Sequence, residues 1–413
     1  MHNIIYKNEH DVIDEADFKI LKDKASRFTS GSESAYKSNQ LSYFIGLEWI
    51  TINEKSLCIS PKLNTNEAKL DYLSMLMNGL KYEQSPKFLN QLFDIKLDEP
   101  HILIEQQQDL LTPLLVIPFL EVVKTIVRKG LKKSYYKVER NLNAKVKGKV
   151  LIAQNLKQNV FKNKPLNTVC QYEEFGFNSS ENRFLKKVLR FVQRYLSSFH
   201  FQKIENHARN VFNYILPAFE MVDDTTDMNE VKQLKINAFY KEYSDALRLG
   251  KLILKRFGYN LAAANEQNEK IKVPPFWIDM SKLFELHVLG LLKERFGNDI
   301  EFQVDGNYGD ADYILKKEGM KMIIDAKYKP QYKTKYEIGD IRQLSGYGRD
   351  KLLIQKLQVE ETRIVDLLII YPDQTGVMNF QNNILLDKKE PIDEFVQFYK
   401  IGIKLPMLTA GQE

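Results

Sequence analysis

The residues best suited to chemistry lie in one stretch, Asp310-Ala-Asp-Tyr-Ile-Leu-Lys-Lys-Glu-Gly-Met-Lys-Met-Ile-Ile-Asp-Ala-Lys. Its pattern predicts two strands joined by a tight turn at Glu318-Gly319. A hairpin centred on that turn places Asp312 directly opposite Asp325, with Cβ atoms about 4.5–5.5 Å apart. Two like charges at this distance weaken a sheet, and a divalent cation between them reverses that effect. Carboxylate oxygens so arranged suit Mg²⁺, which keeps water and phosphate among its ligands.

Lys327 adds a positive charge to the same place. It stands two residues beyond Asp325, so both side chains project from one face of the strand, while Ala326 points the other way. Two carboxylates and an ammonium can hold a metal, lower the pKa of a bound water and stabilise a developing phosphate charge. This predicts Asp312, Asp325 and Lys327 as catalytic residues, with both aspartates as Mg²⁺ ligands. The alternative is an edge hairpin with solvated charges, because acid-x-Lys triplets are common by chance.

A buried helix is predicted immediately upstream, over 276–296, because apolar residues lie on most of its sides. Glu285 on this helix is a candidate third carboxylate of the catalytic group. Its alternative roles are an exposed helix position or a salt bridge with Lys282.

A second helix is predicted downstream, over 338–357. Gln343 and Tyr347 are four residues apart there and share one helix face. They can orient Lys327 or contact a phosphate, which makes Gln343 a candidate catalytic residue and Tyr347 a candidate DNA contact. Ordinary surface and packing roles remain equally open for both.

The elements around these residues predict a C-terminal α/β or α+β domain. Strand patterns at 300–304, 311–315, 320–327 and 363–371 alternate with the two helices. Upstream, the N-terminal region reads as strand-rich and the middle third as mainly helical. A polar stretch before Pro274-Pro275 indicates a boundary. We therefore expect a multidomain chain divided into residues 1–120, 121–272 and 273–413.

Positive charge is concentrated in one segment, 124–149, although the whole chain of 413 residues carries only +6. This basic segment has ten basic residues and one acid, with Tyr135 and Tyr136 between them. Such a pattern is typical of phosphate-backbone binding, and a solvated face is the alternative. The candidate DNA-binding lysines are Lys132, Lys133, Lys147 and Lys149.

Composition excludes several classes of protein. Two cysteines far apart exclude a disulfide scaffold, and a reducing, cytoplasmic setting is expected. No apolar run is long enough for a membrane span, so no membrane partner is expected. A Gly-x4-Gly-Lys-Ser/Thr loop is absent from the sequence, so any nucleotide hydrolysis must come from another chain.

The candidate catalytic residues resemble the PD-(D/E)xK nuclease fold. In that resemblance Asp312 is the first acid, Asp325 and Lys327 form the D-x-K pair, and Glu285 is the acid on the helix. Gln343 stands for the polar residue of the following helix. Ala311 replaces the usual proline, a departure that does not touch metal binding.

Motifs elsewhere resemble McrC, the endonuclease subunit of McrBC-type restriction systems. They are Phe44-Ile-Gly, Leu57-Cys-Ile-Ser-Pro-Lys-Leu, Tyr72-Leu-Ser-Met-Leu, Gly130-Leu, Lys147-Gly-Lys-Val, Cys170-Gln-Tyr-Glu-Glu-Phe-Gly-Phe-Asn and Asn182-Arg-Phe-Leu-Lys. Lys147 stands where arginine is common in the family. The resemblance implies a Mg²⁺-dependent DNA endonuclease that acts on double-stranded DNA and stimulates a separate AAA+ GTPase of the McrB type. The region up to about Leu120 is then the candidate for docking on the GTPase, with a purely structural lobe as the alternative.

Two other functions remain open at this point. One is a non-catalytic activator or scaffold of an AAA+ GTPase with a vestigial nuclease site, although all three core side chains are intact. The other is a nuclease outside restriction, for example in repair.

Overall fold

The computed structural model of the chain describes residues 3–24, 39–65, 68–82, 88, 91–96, 98–105, 111–198, 202–224, 241–256, 270–382 and 384–409. These residues form two compact units. The first unit joins Met1–Leu114 to Asn268–Glu413, and the second is Leu115–Gln267.

The strands of the described residues are numbered along the chain. They are β1 (Asn3–Asn8), β2 (Phe44–Thr51), β3 (Lys55–Ser60), β4 (Ala68–Leu70), β5 (Phe93–Ile95), β6 (Ile102–Glu105), β7 (Ser134–Asn143), β8 (Lys149–Val150), β9 (Asn167–Gly176), β10 (Lys270–Val273), β11 (Phe276–Asp279), β12 (Ile300–Asp305), β13 (Asp310–Lys317), β14 (Met320–Ala326), β15 (Asp366–Val377), β16 (Glu390–Pro391), β17 (Phe398–Ile403) and β18 (Met407–Thr409).

The α-helices are numbered in the same way. They are α1 (Glu15–Lys24), α2 (Tyr72–Leu80), α3 (Leu111–Lys129), α4 (Ile152–Gln158), α5 (Ser180–Ser198), α6 (Gln202–Ile215), α7 (Lys241–Arg256), α8 (Met280–Phe296), α9 (Ile338–Tyr347), α10 (Lys351–Leu357) and α11 (Ile384–Asp387). None of these helices has both the length and the apolar character that a membrane span requires.

A six-stranded sheet in the first unit carries the predicted catalytic hairpin. Its strand order is β12-β13-β14-β15-β17-β16. The strands from β12 to β14 pair antiparallel, whereas β14, β15 and β17 run parallel. Apolar side chains of this sheet pack with α9 and α10 in one buried cluster, which includes Ile323, Leu344 and Leu353. The fold is therefore mixed α/β, as the sequence predicts.

A five-stranded sheet completes the first unit, in the order β1-β3-β2-β11-β5. The sequence predicts helix from residue 276, but Phe276–Asp279 is strand β11, which pairs with β2 and β5. The aromatic and β-branched side chains of Phe-Trp-Ile favour a strand. Helix α8 begins only after Asp279, whose Oδ1 accepts from the backbone N–H groups of Ser281 and Lys282 at 2.9 and 3.1 Å. The side chain is an N-cap.

This strand changes the division into domains. The sequence predicts separate domains at 1–120 and 273–413, whereas the structure places residues 1–114 and 273–413 in one unit and residues 115–120 in the second. Strand β11 sits between two N-terminal strands, and β18 pairs with β4. Gly46 on β2 allows the approach of β11, because a Cβ there would lie 2.1 Å from the carbonyl oxygen of Phe276.

Helices α2 and α8 pack at backbone distance. A Cβ on Gly79 would lie 2.3 Å from the carbonyl oxygen of Leu286, and a Cβ on Gly290 would lie 2.8 Å from that of Asn78. Only glycine permits such an approach. The N-terminal segment therefore supports the helix that carries Glu285.

Downstream, the helix predicted over 338–357 is interrupted. Helix α9 ends at Tyr347, and α10 begins after Asp350, whose side chain accepts from the backbone N–H groups of Leu352 and Leu353. A capping aspartate inside a helical pattern starts a new helix.

The second unit contains a sheet that the prediction of a mainly helical middle omits. Its order is β7-β9-β8, and all pairs are antiparallel. Most of the basic segment thus lies on β7, on β8 and in the turn between them. Helices α5 and α7 contact each other, and a Cβ on Gly250 would lie 2.9 Å from the Phe184 ring.

Candidate functional site

The two aspartates of the predicted pair lie opposite each other, one position beyond the last residue pair of the β13–β14 hairpin. Tyr313 pairs with Ile324, so the next position is Asp312 on one strand and Asp325 on the other. The backbone N–H of Ala326 donates to Asp312 Oδ2 at 2.8 Å, which fixes this carboxylate. Asp325 is 3% exposed, whereas Asp312 is partly exposed. The structure thus brings both acids to the same end of the hairpin.

Lys327 directly follows β14 and joins these acids. Its Nζ lies 2.9 Å from Asp325 Oδ2 and donates to Gln343 Oε1 at 3.0 Å. Gln343 Nε2 in turn donates to Tyr347 Oη at 3.1 Å. Helix α9 therefore presents the two residues of the predicted shared face to the lysine. Gln343 is exposed and contacts the lysine directly, so it can orient the ammonium. Tyr347 is buried and restrains Gln343 through their hydrogen bond.

Glu285 reaches the same region from α8. The side chain is buried and binds Lys282, whose Nζ donates to both carboxylate oxygens at 2.9 and 2.8 Å. Tyr313 Oη donates to the carbonyl oxygen of Glu285 at 2.5 Å and so ties α8 to β13. The Lys282–Glu285 salt bridge, one of the alternative roles for Glu285, is therefore present. The Glu285 carboxylate is also close enough to Asp312 to raise the pKa of that acid.

Burial makes negative charge costly for all three acids. It raises the pKa of Asp312 well above the usual range, and the nearby Glu285 and Asp325 raise it further. It also raises the pKa of Asp325, although the Lys327 ammonium opposes the shift. For Glu285 burial raises the pKa to about 7 against the opposing effect of Lys282. A bound cation would offset this cost, because it favours the charged form of each carboxyl group.

Lys327 behaves in the opposite way. Burial by itself lowers the pKa of this ammonium, but the charges of Asp325 and Asp312 outweigh that effect and raise it above its ordinary value. Lys327 therefore stays protonated at neutral pH. An ammonium at this place can stabilise negative charge.

Asp325 Oδ2 is a buried oxygen of this group. Its close contact is the Lys327 ammonium, whose Nζ lies 2.9 Å away. Buried carboxylate oxygens normally have a donor or a metal. No group of three or more histidine, cysteine or acidic side chains in the described ranges has metal-binding geometry. Two carboxylates nevertheless fit Mg²⁺, which binds few protein ligands and retains several waters.

Sequence reasoning missed several residues around this centre. Tyr332 Oη and Lys329 Nζ both donate to Asp340 Oδ2, at 2.5 and 2.8 Å, and hold the start of α9. The carboxylate of Asp340 also raises the pKa of Asp325, although burial has the larger effect. The spacing of these residues carries no motif, because the contacts join a loop to a helix.

The basic segment, in the second unit, contains lysines of two kinds. Lys132 Nζ donates to Glu181 Oε1 at 2.7 Å, and the Lys132 side chain is 18% exposed. Its backbone carbonyl accepts from Asn182 Nδ2 at 3.0 Å, so this lysine belongs to the packing of α5. In contrast, Lys133, Lys147 and Lys149 are exposed. Lys133 Nζ lies over the Phe177 ring at 4.7 Å and Lys147 Nζ over the Tyr172 ring at 4.0 Å.

Comparison with known proteins identifies a family. Residues 41–372 match the family described as "McrBC 5-methylcytosine restriction system component". No curated protein matches the chain.

Two solved assemblies from Thermococcus gammatolerans are similar at low identity. The refined half-complex from a tetradecameric assembly of McrB AAA+ hexamers with bound McrC has 15% identity and a TM-score of 0.38, covering 97% of this chain and 94% of that chain. The McrBC complex of the same organism has 16% identity and a TM-score of 0.29, covering 70% and 87% respectively. Because both TM-scores are low, the sequence match alone supports the family assignment.

Proposed function

The chain belongs to the McrBC family of restriction system components, and we propose that it is the Mg²⁺-dependent endonuclease subunit of a GTP-dependent restriction complex. The observation that carries this proposal is the grouping of Asp312, Asp325 and Lys327 at one end of the hairpin, with Lys327 Nζ 2.9 Å from the buried Oδ2 of Asp325. These residues stand on a strand hairpin flanked by α8 and α9, an arrangement that supports a PD-(D/E)xK type of nuclease domain.

In the proposed mechanism Asp312 and Asp325 would hold the metal, and Glu285, whose carboxylate is bound by Lys282, adds negative charge near both aspartates. When bound, Mg²⁺ polarises the phosphate and lowers the pKa of a bound water. Asp312 is held in place by the Ala326 N–H. Burial keeps water away from Asp325 and so strengthens its field. The two acids thus define where the scissile phosphate can bind.

Lys327 supplies the positive charge in this mechanism. It remains protonated because Asp325 and Asp312 stabilise its ammonium. An ammonium at this position can donate to a phosphate oxygen and stabilise the charge that develops in the transition state. Gln343 restrains the lysine through its 3.0 Å hydrogen bond, so the charge is in place before substrate binds.

The partners follow from the family. McrB AAA+ hexamers with bound McrC form the solved assembly from Thermococcus gammatolerans. We extend that pairing to this chain, which has no nucleotide-binding loop in its sequence and so depends on another subunit for GTP. Double-stranded DNA is the proposed substrate, and the exposed part of the basic segment is the proposed contact with its phosphates.

The decisive experiment uses this chain purified together with an AAA+ GTPase of the McrB type. With GTP and Mg²⁺, cleavage is assayed on methylated and on unmethylated DNA. Asp325→Ala is expected to abolish cleavage and to leave the stimulation of GTP hydrolysis intact, because Asp325 lies outside the N-terminal region that is the candidate for docking on the GTPase. Asp305→Asn is the matched control, since this exposed aspartate on β12 is outside the proposed site.

Persistent cleavage by the Asp325→Ala complex would refute the site. A wild-type complex that hydrolyses GTP and never cuts DNA would favour the alternative of a non-catalytic activator.

A further inference from the structure

A second cluster of ionisable and aromatic side chains lies where the N-terminal sheet meets the catalytic hairpin, in the first unit. Strands β1 and β3 are parallel, so their carboxyl ends meet at one edge of the sheet, with Asn8 beside Ser60. Glu9 follows β1 there, and Lys62 follows β3. The backbone N–H of Lys62 donates to Glu9 Oε2 at 2.9 Å. Neither side chain has a role in the mechanism above.

Both residues hold Tyr328, the neighbour of Lys327. Lys62 Nζ donates to the carbonyl oxygen of Tyr328 at 2.9 Å and lies 4.0 Å from the centre of its ring. The Tyr328 hydroxyl donates to Glu9 Oε2 at 3.2 Å. One residue is therefore fixed at its backbone and at its side-chain end by two N-terminal residues.

The segment that Tyr328 belongs to needs such support. Strand β14 ends at Ala326. Beyond it the Lys327 N–H donates to the carbonyl oxygen of Ile370 at 2.9 Å, and the Lys329 N–H turns back to the carbonyl oxygen of Lys327 at 2.7 Å. The candidate catalytic lysine thus stands at the first turn after a strand. Its direction depends on how that turn is anchored.

Maintaining the cluster is energetically costly. Burial raises the pKa of Glu9 to about 7 and lowers that of Lys62 to about 8, although each charge partly stabilises the other. His10, next to Glu9, adopts a left-handed backbone with φ of 66° and packs edge-on against Tyr43 at 4.5 Å. Lys62 Nζ lies 4.7 Å from the centre of that Tyr43 ring. Backbone strain and buried charge of this kind concentrate at functional sites.

We propose that Lys62 is a positioning residue of the nuclease site, which anchors the Tyr328 carbonyl and thereby directs the Lys327 ammonium toward Asp325. Glu9 orients Lys62 and the Tyr328 hydroxyl. This inference rests on the proposed nuclease function. It gives the N-terminal segment a part in catalysis, beside any part in docking.

The test compares substitutions at Lys62 in the assembled complex. Lys62→Met keeps the length of the side chain and removes the donor. We expect kcat for DNA cleavage to fall about 10- to 100-fold, because a small misplacement of a catalytic group has an effect of this size. KM for DNA and GTPase stimulation should not change. Lys62→Arg restores a donor and should recover part of the loss.

The matched control is Lys55→Met in the same sheet. Lys55 Nζ donates to both carboxylate oxygens of Asp17, at 2.9 and 2.7 Å, so this variant also removes an ion pair of the N-terminal segment. It should leave kcat unchanged. A wild-type kcat in Lys62→Met, or an equal loss in both variants, would overturn the proposal.

A second measurement does not depend on cleavage. Hydrogen exchange of the amides at 327–333 should accelerate in Lys62→Met and remain protected in Lys55→Met, while β14 stays protected in both. Unchanged exchange in Lys62→Met would show that Lys62 does not anchor the turn. If the wild-type complex does not cut DNA, the nuclease proposal fails, and the exchange data still decide whether the anchor exists.

Discussion

The predicted catalytic hairpin of the first unit and the basic segment of the second unit expose their charged side chains to water to very different degrees. Around the hairpin, the three acids and Lys327 are largely removed from water. Besides burial, Glu285 and Asp325 raise the pKa of Asp312, whereas Asp325 and Asp312 raise that of Lys327 against the effect of burial. In the basic segment, Lys133, Lys147 and Lys149 are open to solvent. A catalytic site uses charged groups whose electrostatic interactions are strengthened by burial. Binding to a phosphate backbone requires charged side chains that a large partner can reach.

The same contrast exists inside the basic segment. Burial raises the pKa of Glu181, but the half-buried Lys132 bound to it acts in the opposite direction, and the pKa is lowered overall. The exposed lysines remain open to solvent: Lys133 and Lys147 lie over ring faces, and Lys147 Nζ is also 3.9 Å from Glu174 Oε1. A count of basic residues therefore overstates the surface available to DNA.

The largest effect is expected from Asp312→Asn, which removes a carboxylate from the β13–β14 hairpin. Cleavage should fall at least about 100-fold. Without metal, the same variant should unfold at a higher temperature than the wild type, because burial and neighbouring acids disfavour the Asp312 carboxylate. Thermal unfolding with and without Mg²⁺, together with a cleavage assay, measures both. A metal-free variant less stable than the wild type would contradict the electrostatic account.

The next effect concerns pH and Glu285. Its pKa is raised from 4.5 to about 7, so the folded protein binds this proton more tightly than the unfolded chain does. The free energy of unfolding of the metal-free protein should therefore fall as pH rises through that window, by about 3 kcal/mol from this group. Glu285→Gln should remove this part of the slope. Urea unfolding at about pH 5 and about pH 7.5 tests it, and an unaltered slope would argue against the prediction.

The smallest effects should separate the two kinds of lysine. Lys132→Glu places two acids together at a packed position and should lower the free energy of unfolding by about 1–3 kcal/mol. Lys149→Glu should change stability by less than about 0.5 kcal/mol. In DNA binding it should reduce the slope of log affinity against log salt by about 1. If Lys149→Glu left that slope unchanged, the exposed lysines would be a solvated surface rather than a DNA contact.

The hairpin could be predicted because its geometry is local. A turn at Glu318-Gly319 is enough to place Asp312 and Asp325 at the same level, and alternation along a strand adds Lys327. Strand β11 could not be predicted in this way, since its partners β2 and β5 lie about 180 residues or more upstream. The contact of Lys62 with Tyr328 is equally non-local, since the two residues are 266 positions apart in the sequence. Local pattern thus predicts which residues are catalytic candidates, and distant pairing determines how they are held.

Strand β11 has a consequence for synthesis on the ribosome. It lies between β2 and β5, so the N-terminal sheet lacks a central strand until Asp279 has been translated and released from the exit tunnel. The second unit, Leu115–Gln267, is continuous in sequence and emerges earlier. Because domains fold as units during translation, the second unit can fold first, before the earlier N-terminal strands can complete their sheet. The order of folding is then the reverse of what the order of the chain suggests.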